Sequence, residues 1–325
     1  MHALLLRDGR IRLERSFPEP EAVPGEALVR VCRAGICETD LQLVRGYMAF
    51  EGVLGHEFVG VAQNGPLAGE RVVGEINCGC GACDLCRSGG QNHCPNRTVL
   101  GIVGRNGAFA EFLSLPLANL HRVPDNVPDE LAVFVEPLAA AYRIPEQIPI
   151  EPGLKVVVLG DGRLGNLCAQ VLAECGAQVL VVGKHEAKLR LLSDLAIATA
   201  RLEGVEADCG RRPPCDLVVD ATGSETGLPL ALRLVRPRGT VVLKTTVANR
   251  QTLALAPIVI DETTVLGSRC GPFEPALAAL SEGRIDVRPL ISSVRSLDEG
   301  VEAFAEAATA GVLKVQLTVE PQARL

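Results

Sequence analysis

The sequence lacks a cationic surplus, a long apolar run and a full set of aromatic residues. Its net charge is −7, with 32 Lys and Arg against 39 Asp and Glu. That leaves no positive field for a polyanion, and so excludes non-specific binding to nucleic acid or an anionic membrane as the main business of the chain. No apolar stretch reaches the length of a membrane span. The opening residues, MHALLLRDGRIRLERSF, bring in charges too soon for the apolar core of a secretory signal. The expectation is a cytoplasmic protein whose partners are small molecules or further copies of itself. There is no Trp and there are only two Tyr, a scarcity to which no functional reading attaches. With 47% hydrophobic residues over 325 positions, the chain can still bury a substantial core and form two domains.

What the sequence does have is cysteine, at 12 positions. Without an export signal these argue against a disulfide framework, because a reducing compartment keeps thiols free and clustered cysteines there hold metal. The stretch CGCGACDLCRSGGQNHC, residues 78–94, contains Cys80, Cys83, Cys86 and Cys94 in the spacing C-x2-C-x2-C-x7-C. Four thiolates on short loops match tetrahedral zinc, and four protein ligands leave no position for substrate. The predicted site is therefore structural. Gly79, Gly81, Gly89 and Gly90 let the loop wrap its ion, and Cys78 falls outside the spacing. Asp84 and the sparse basic residues make the lobe a poor surface for phosphates.

A second set of metal-binding residue types is spread over GICETD (35–40), GHEFVG (55–60) and FVEPLAAA (134–141). Cys37, His56 and a carboxylate from Glu57 or Glu136 would give zinc three protein ligands and leave a fourth position for water or an alcohol oxygen. One thiolate and one carboxylate balance the charge of the ion. The segment TDLQL that follows Cys37 also fits a helix start, with Thr39 as its N-cap.

From Lys155 the sequence reads KVVVLGDGRLGNLCAQVLAECGAQVLVVG. An apolar run, then Gly160, Gly162 and Gly165, then a helical apolar pattern ending at Gly176 give strand, tight turn and helix in order. In that context the glycines let the backbone approach a pyrophosphate at a helix N-terminus. The second strand ends on Gly183, where NAD-binding chains carry an acid for the ribose hydroxyls. Gly183 is followed by Lys184, His185 and Lys188. With no carboxylate at that place and basic residues beside it, NADP(H) is expected over NAD(H), since a 2′-phosphate adds about 1.5 to 2 negative charges. The strands LVVDATG (217–223), TVVLKT (240–245) and TTVLGS (263–268), alternating with helices such as LPLALRLV (228–235), complete a doubly wound Rossmann domain over residues 151–269.

With these motifs together, the chain resembles the zinc-dependent medium-chain dehydrogenase/reductase superfamily, the alcohol, sorbitol and threonine dehydrogenase group, over essentially its whole length. The resemblance implies an α/β fold in which a GroES-like β-rich catalytic domain, residues 1–150 and 270–325 with the zinc lobe at 78–98, joins the Rossmann domain. The active site would lie in the cleft between them. It implies that Cys37 and His56 bind a catalytic zinc, that Glu57 and Glu136 either bind it or exchange with water, and that Thr39 takes the alcohol proton. In place of the histidine that often follows in the proton relay stands Gln42, which cannot titrate. Glu136, a cysteine in many simple alcohol dehydrogenases, points to the polyol and threonine branch. Lys314 stands where the family often has a basic residue near the coenzyme phosphates. Glu38 stands where relatives carry arginine or glycine, and would cost affinity if it faced the pyrophosphate.

The function so implied is hydride transfer between a secondary alcohol or polyol and a nicotinamide cofactor, with two zinc ions per chain, one catalytic and one structural. Tyr47, Met48 and Phe50 are candidate pocket residues. One rival is a zinc-independent enone or quinone reductase, which has no need of Cys37, His56 and Glu57. Another is a non-catalytic nicotinamide-nucleotide-binding redox sensor or assembly protein stabilised by zinc. Relatives pair through the edge of the Rossmann sheet, and the apolar TTVLGS strand is consistent with a homodimer or homotetramer.

Overall fold

The computed structural model describes residues 1–21, 23–207, 215–245 and 253–319. The chain makes two compact units, Met1–Glu136 with Phe273–Leu325, and Pro137–Pro272. No helix among the described residues is long and apolar enough to cross a membrane.

The first unit is built on a seven-stranded sheet, ordered Leu120–Arg122, Arg71–Gly74, Glu57–Ala62, Glu26–Gly35, Lys314–Thr318 and Ile291–Ser296, with Phe112–Pro116 also paired to Glu26–Gly35. The central strand, EALVRVCRAG, alternates in burial, so that Ala27, Val29 and Val31 are wholly inside, as the two-residue period of a strand with one face on a core requires. Glu57–Ala62 and Lys314–Thr318 flank it, both antiparallel. In this register Gly35 lies opposite Glu57 on one side and Gln316 on the other. A Cβ on Gly35 would stand 2.8 Å from Glu57 Oε2 and 3.2 Å from Lys314 Cδ. The missing side chain is what lets Glu57 and Lys314 meet across the central strand.

The second unit is a six-stranded sheet, parallel throughout, in the order Ala198–Arg201, Gln178–Gly183, Lys155–Leu159, Cys215–Asp220, Val235–Leu243 and Thr264–Gly267. Numbered along the chain this is 3-2-1-4-5-6, the doubly wound order. The run Val156 to Leu159 is buried throughout, as a strand covered on both faces must be. Helix Arg163–Glu174 packs Leu167, Cys168, Val171 and Leu172 inward. It ends at Gly176, whose φ of +88° allows the Gly176 and Ala177 N–H groups to donate back to the carbonyls of Ala173 and Leu172, closing the helix in a Schellman turn. The strand expected at 240–245 runs instead from Val235 to Leu243 and starts directly after helix Gly227–Leu234. Thr264–Gly267 is the edge strand, as its sequence suggested.

Candidate metal centres and nucleotide site

The thiols of Cys80, Cys83, Cys86 and Cys94 come within 4.8 Å of one another. Short pieces place them: Cys83 caps the turn of helix Asp84–Arg87 and Cys94 closes the turn Gln91–His93. Gly81, at φ +70°, bends the loop between Cys80 and Cys83. Cys83 Sγ and Cys94 Sγ are 3.7 Å apart, close to the separation of about 3.8 Å that two sulfurs at about 2.3 Å from a tetrahedral zinc must have. The N–H groups of Ala82 and Cys83, with the Cys94 thiol, hold the Cys80 pKa down at about 6, while burial and the neighbouring thiols push Cys86 up to about 11. An ion seated there displaces the proton that Cys86 would otherwise keep. The donor set fits zinc. Cys78 is buried and lies outside the four, with its S–H directed at the Ile76 carbonyl. Because binding energy at a closed zinc site is folding energy, Cys83→Ser is expected to lower the melting temperature by more than about 5 °C and to release about one zinc per chain. An unchanged melting curve with unchanged zinc content would contradict the structural role.

The second cluster brings Cys37, His56 and Glu57 within 4.8 Å. Cys37 follows the end of the central strand and forms the N-cap of helix Glu38–Val44, and Glu57 opens the strand Glu57–Ala62 beside it. Glu136, in the first turn of helix Val135–Gln147, is not a member of this cluster. Thr39 Oγ1 lies 3.9 Å from Cys37 Sγ. Thr39 is not the N-cap that TDLQL suggested. The cap is Cys37, in a capping box closed by Asp40.

Asp40 escaped the sequence reading. It is wholly buried, its Oδ2 accepts the Cys37 N–H at 2.8 Å and its Oδ1 accepts the Gly55 N–H at 3.3 Å. The same Oδ1 stands 3.3 Å from His56 Nδ1, an ion-pair contact. One carboxylate thus holds the backbone of Cys37 and stands beside the imidazole of His56, two of the three residues of this cluster. The local signal was its place three residues beyond Cys37. Burial works against a charge on His56, but the Asp40 carboxylate and the Cys37 sulfur outweigh it and raise the imidazole pKa well above its ordinary value. Asp40→Asn is expected to weaken zinc retention and lower turnover, each by about 10- to 100-fold. Metal titration beside steady-state rates measures both, and wild-type values would remove Asp40 from the site.

Lys314 is fully buried in the first unit. Its ammonium donates to Glu57 Oε2 and, at 3.4 Å, to the Ile36 carbonyl, and it lies 5.5 Å from the centre of the Phe134 ring. Expected near coenzyme phosphates, it is held in this structure by Glu57. Glu38 is exposed and engaged along its own helix, accepting from Gln42 Nε2 at 2.7 Å and standing 3.5 Å from Arg45.

In the second unit the three glycines of the turn have separate reasons. A Cβ on Gly165 would lie 2.0 Å from the Gly160 carbonyl oxygen, and one on Gly160 would lie 2.5 Å from that of Ala221, so both mark close backbone approach. Gly162, the N-cap of helix Arg163–Glu174, faces open space with nothing within 4 Å. That is the room a pyrophosphate at a helix N-terminus needs. The end of the second strand corrects the sequence reading. A carboxylate does stand there, delivered by Asp161 from the glycine turn: its Oδ2 accepts the N–H groups of Lys184 at 2.7 Å and His185 at 2.6 Å. The Lys184 side chain is exposed and that of Lys188 partly so.

Residues 23–125 match the alcohol dehydrogenase GroES-like domain and residues 164–282 the zinc-binding dehydrogenase domain. The chain is 32% identical to an L-threonine 3-dehydrogenase of Streptomyces avermitilis over 90% of its own length and 91% of the relative's. It is 33% identical to a D-altritol 5-dehydrogenase of Agrobacterium fabrum over 98% of this chain and all of the relative. Among solved structures, a zinc-binding dehydrogenase described from Sinorhizobium meliloti, bound to NADP, is similar with a TM-score of 0.89 at 30% identity, covering 98% of each chain.

Proposed function

The chain belongs to the zinc-dependent medium-chain dehydrogenase/reductase superfamily, and on that premise we propose that it is an alcohol or polyol dehydrogenase working at Cys37, His56 and Glu57. The observation that carries this reading is the meeting of one thiol, one imidazole and one carboxylate within 4.8 Å, a donor set that suits zinc and leaves a coordination position for a substrate oxygen. Bound zinc supplies the acidification of an alcohol hydroxyl, and bound nicotinamide supplies the hydride acceptor.

The chain's own part is to hold and move atoms around them. Thr39, whose Oγ1 lies 3.9 Å from Cys37 Sγ, would take the proton of the hydroxyl. Gln42 donates to Glu38 and carries no titratable proton, so the proton would leave Thr39 by a route that does not pass through Gln42. Asp40 keeps Cys37 and His56 in register, and Lys314 fixes the Oε2 of Glu57. The four-cysteine lobe holds a second, structural zinc. The open space before Gly162 takes the cofactor pyrophosphate. Exposed Lys184 and partly exposed Lys188 would favour the 2′-phosphate that the sequence leads one to expect, and Asp161 opposes it. The edge strand Thr264–Gly267, with Leu255, Val259 and Ile260 exposed in the preceding segment, supports self-association as a homodimer or homotetramer.

A panel of secondary alcohols, polyols and L-threonine, incubated with the protein and either oxidised cofactor, tests the reading. Alcohol-dependent formation of reduced nicotinamide is expected with at least one substrate. Tight nucleotide binding without oxidation of any of them would favour a non-catalytic nucleotide-binding protein.

A further inference from the structure

We propose that Asp161 sets the cofactor preference of this protein, occupying from the glycine turn the place left empty at Gly183, and that the chain therefore binds NAD(H) more tightly than NADP(H). The inference rests on the reading of the second unit as a nicotinamide dinucleotide site.

The geometry makes Asp161 and Gly183 a reciprocal pair. A Cβ built on Gly183 would lie 2.5 Å from both Cβ and Oδ2 of Asp161. The Asp161 carboxylate thus fills the volume that the first carbon of a side chain at position 183 would need. Either a strand-end side chain or the turn carboxylate can stand there, and this chain has the second. Its backbone partners, the N–H groups of Lys184 and His185, fix it at the start of helix Glu186–Ser193, and His185 Nδ1 lies 3.1 Å from each of its oxygens.

Charge decides the direction. Burial disfavours an ionised Asp161, but the hydrogen bonds from His185 and Lys184 and the His185 imidazole outweigh it and hold the carboxyl below its ordinary pKa. A carboxylate offers about four acceptor positions; Oδ2 uses two on backbone N–H groups and His185 Nδ1 takes up a third between the two oxygens, so one remains for a ribose hydroxyl. A 2′-phosphate would instead bring about 1.5 to 2 negative charges up to a fixed anion shielded from water. Lys184 and Lys188 pull the other way. Lys184, however, carries its charge on a flexible stem in solvent, where attraction is screened. A held, nearly buried charge outweighs a mobile, solvated one.

The test is fluorescence titration with NADH and, separately, NADPH at about pH 8, above the ordinary range for histidine protonation. Wild type is expected to bind NADH at least about tenfold more tightly. Asp161→Asn keeps an oxygen for the two backbone donors but removes the charge, and should move the NADPH-to-NADH ratio at least about tenfold toward NADPH. The double variant Asp161→Gly with Gly183→Asp returns a carboxylate to the strand end and should restore preference for NADH. Wild type binding NADPH as tightly as NADH would overturn the proposal. So would Asp161→Asn weakening both cofactors by the same factor, which is what a mere brace for the turn would give. Should Asp161→Asn fail to fold, the double variant decides: preference for NADPH there rejects the proposal. Binding of neither cofactor to folded wild type would overturn the dinucleotide reading itself, and this inference with it.

Discussion

Cys37→Ala and His56→Ala are each expected to lower alcohol turnover by roughly 10³-fold or more; the melting temperature of Cys37→Ala stays within about 3 °C of wild type, whereas His56→Ala, which strands the buried Asp40 carboxylate, costs stability as well. The size follows from what the ion contributes: stabilising the developing alkoxide is worth several kcal/mol, and each 1.4 kcal/mol or so is tenfold in rate. The small stability change follows from position. Cys37 is partly exposed at a helix start, and the sheet beneath is held by its own ladder rather than by this cluster. A rate within tenfold of wild type in either variant would remove the cluster from the chemistry. The contrast with the lobe is the informative part, since a cysteine change there is expected to cost stability first.

With no ion at Cys37, His56 and Glu57 to neutralise the Glu57 carboxylate, Lys314→Met is expected to lower the melting temperature by about 6–10 °C. Removing one partner of a buried ion pair leaves the other charge uncompensated, at about 3–5 kcal/mol, and in a chain of this size each kcal/mol moves the transition by about 2 °C. Lys314 is fully buried and Glu57 nearly so, so water cannot take over the lost contact. The additional change Glu57→Gln should recover a substantial part of the loss, because the stranded charge is then gone. Circular dichroism melts of wild type, the single variant and the double variant measure it. A single variant that melts with wild type would mean that Glu57 is satisfied without Lys314.

What the sequence made legible is what lies close together along the chain. The four lobe cysteines fall within fifteen residues, and Gly160, Gly162 and Gly165 within six. In both cases the spacing is itself the geometry, because short loops restrict where their ends can go. What it hid depends on strands brought side by side. Lys314 and Glu57 are 257 residues apart and meet because Gly35 leaves space between flanking strands. Asp161 and the Lys184 N–H are 23 apart and meet through the parallel pairing of the first two strands of the second unit. The absence of an acid at Gly183 was read as the absence of a carboxylate at that place, and a one-dimensional reading could not see one arriving from the neighbouring turn. Asp40 was hidden differently. It looked like an ordinary residue in a helix start, and its burial against Gly55 and His56 appears only when the strand after His56 is in place. The direction of Glu38, which the sequence left open, is set by Gln42 one turn along the same helix.

Elemental analysis of zinc per chain, in wild type and in Cys37→Ala purified side by side, tests whether Cys37, His56 and Glu57 hold an ion. About two zinc ions are expected in wild type and about one in the variant, with the lobe ion retained. Equal zinc content in the two proteins would contradict the assignment of Cys37, His56 and Glu57 as a metal site.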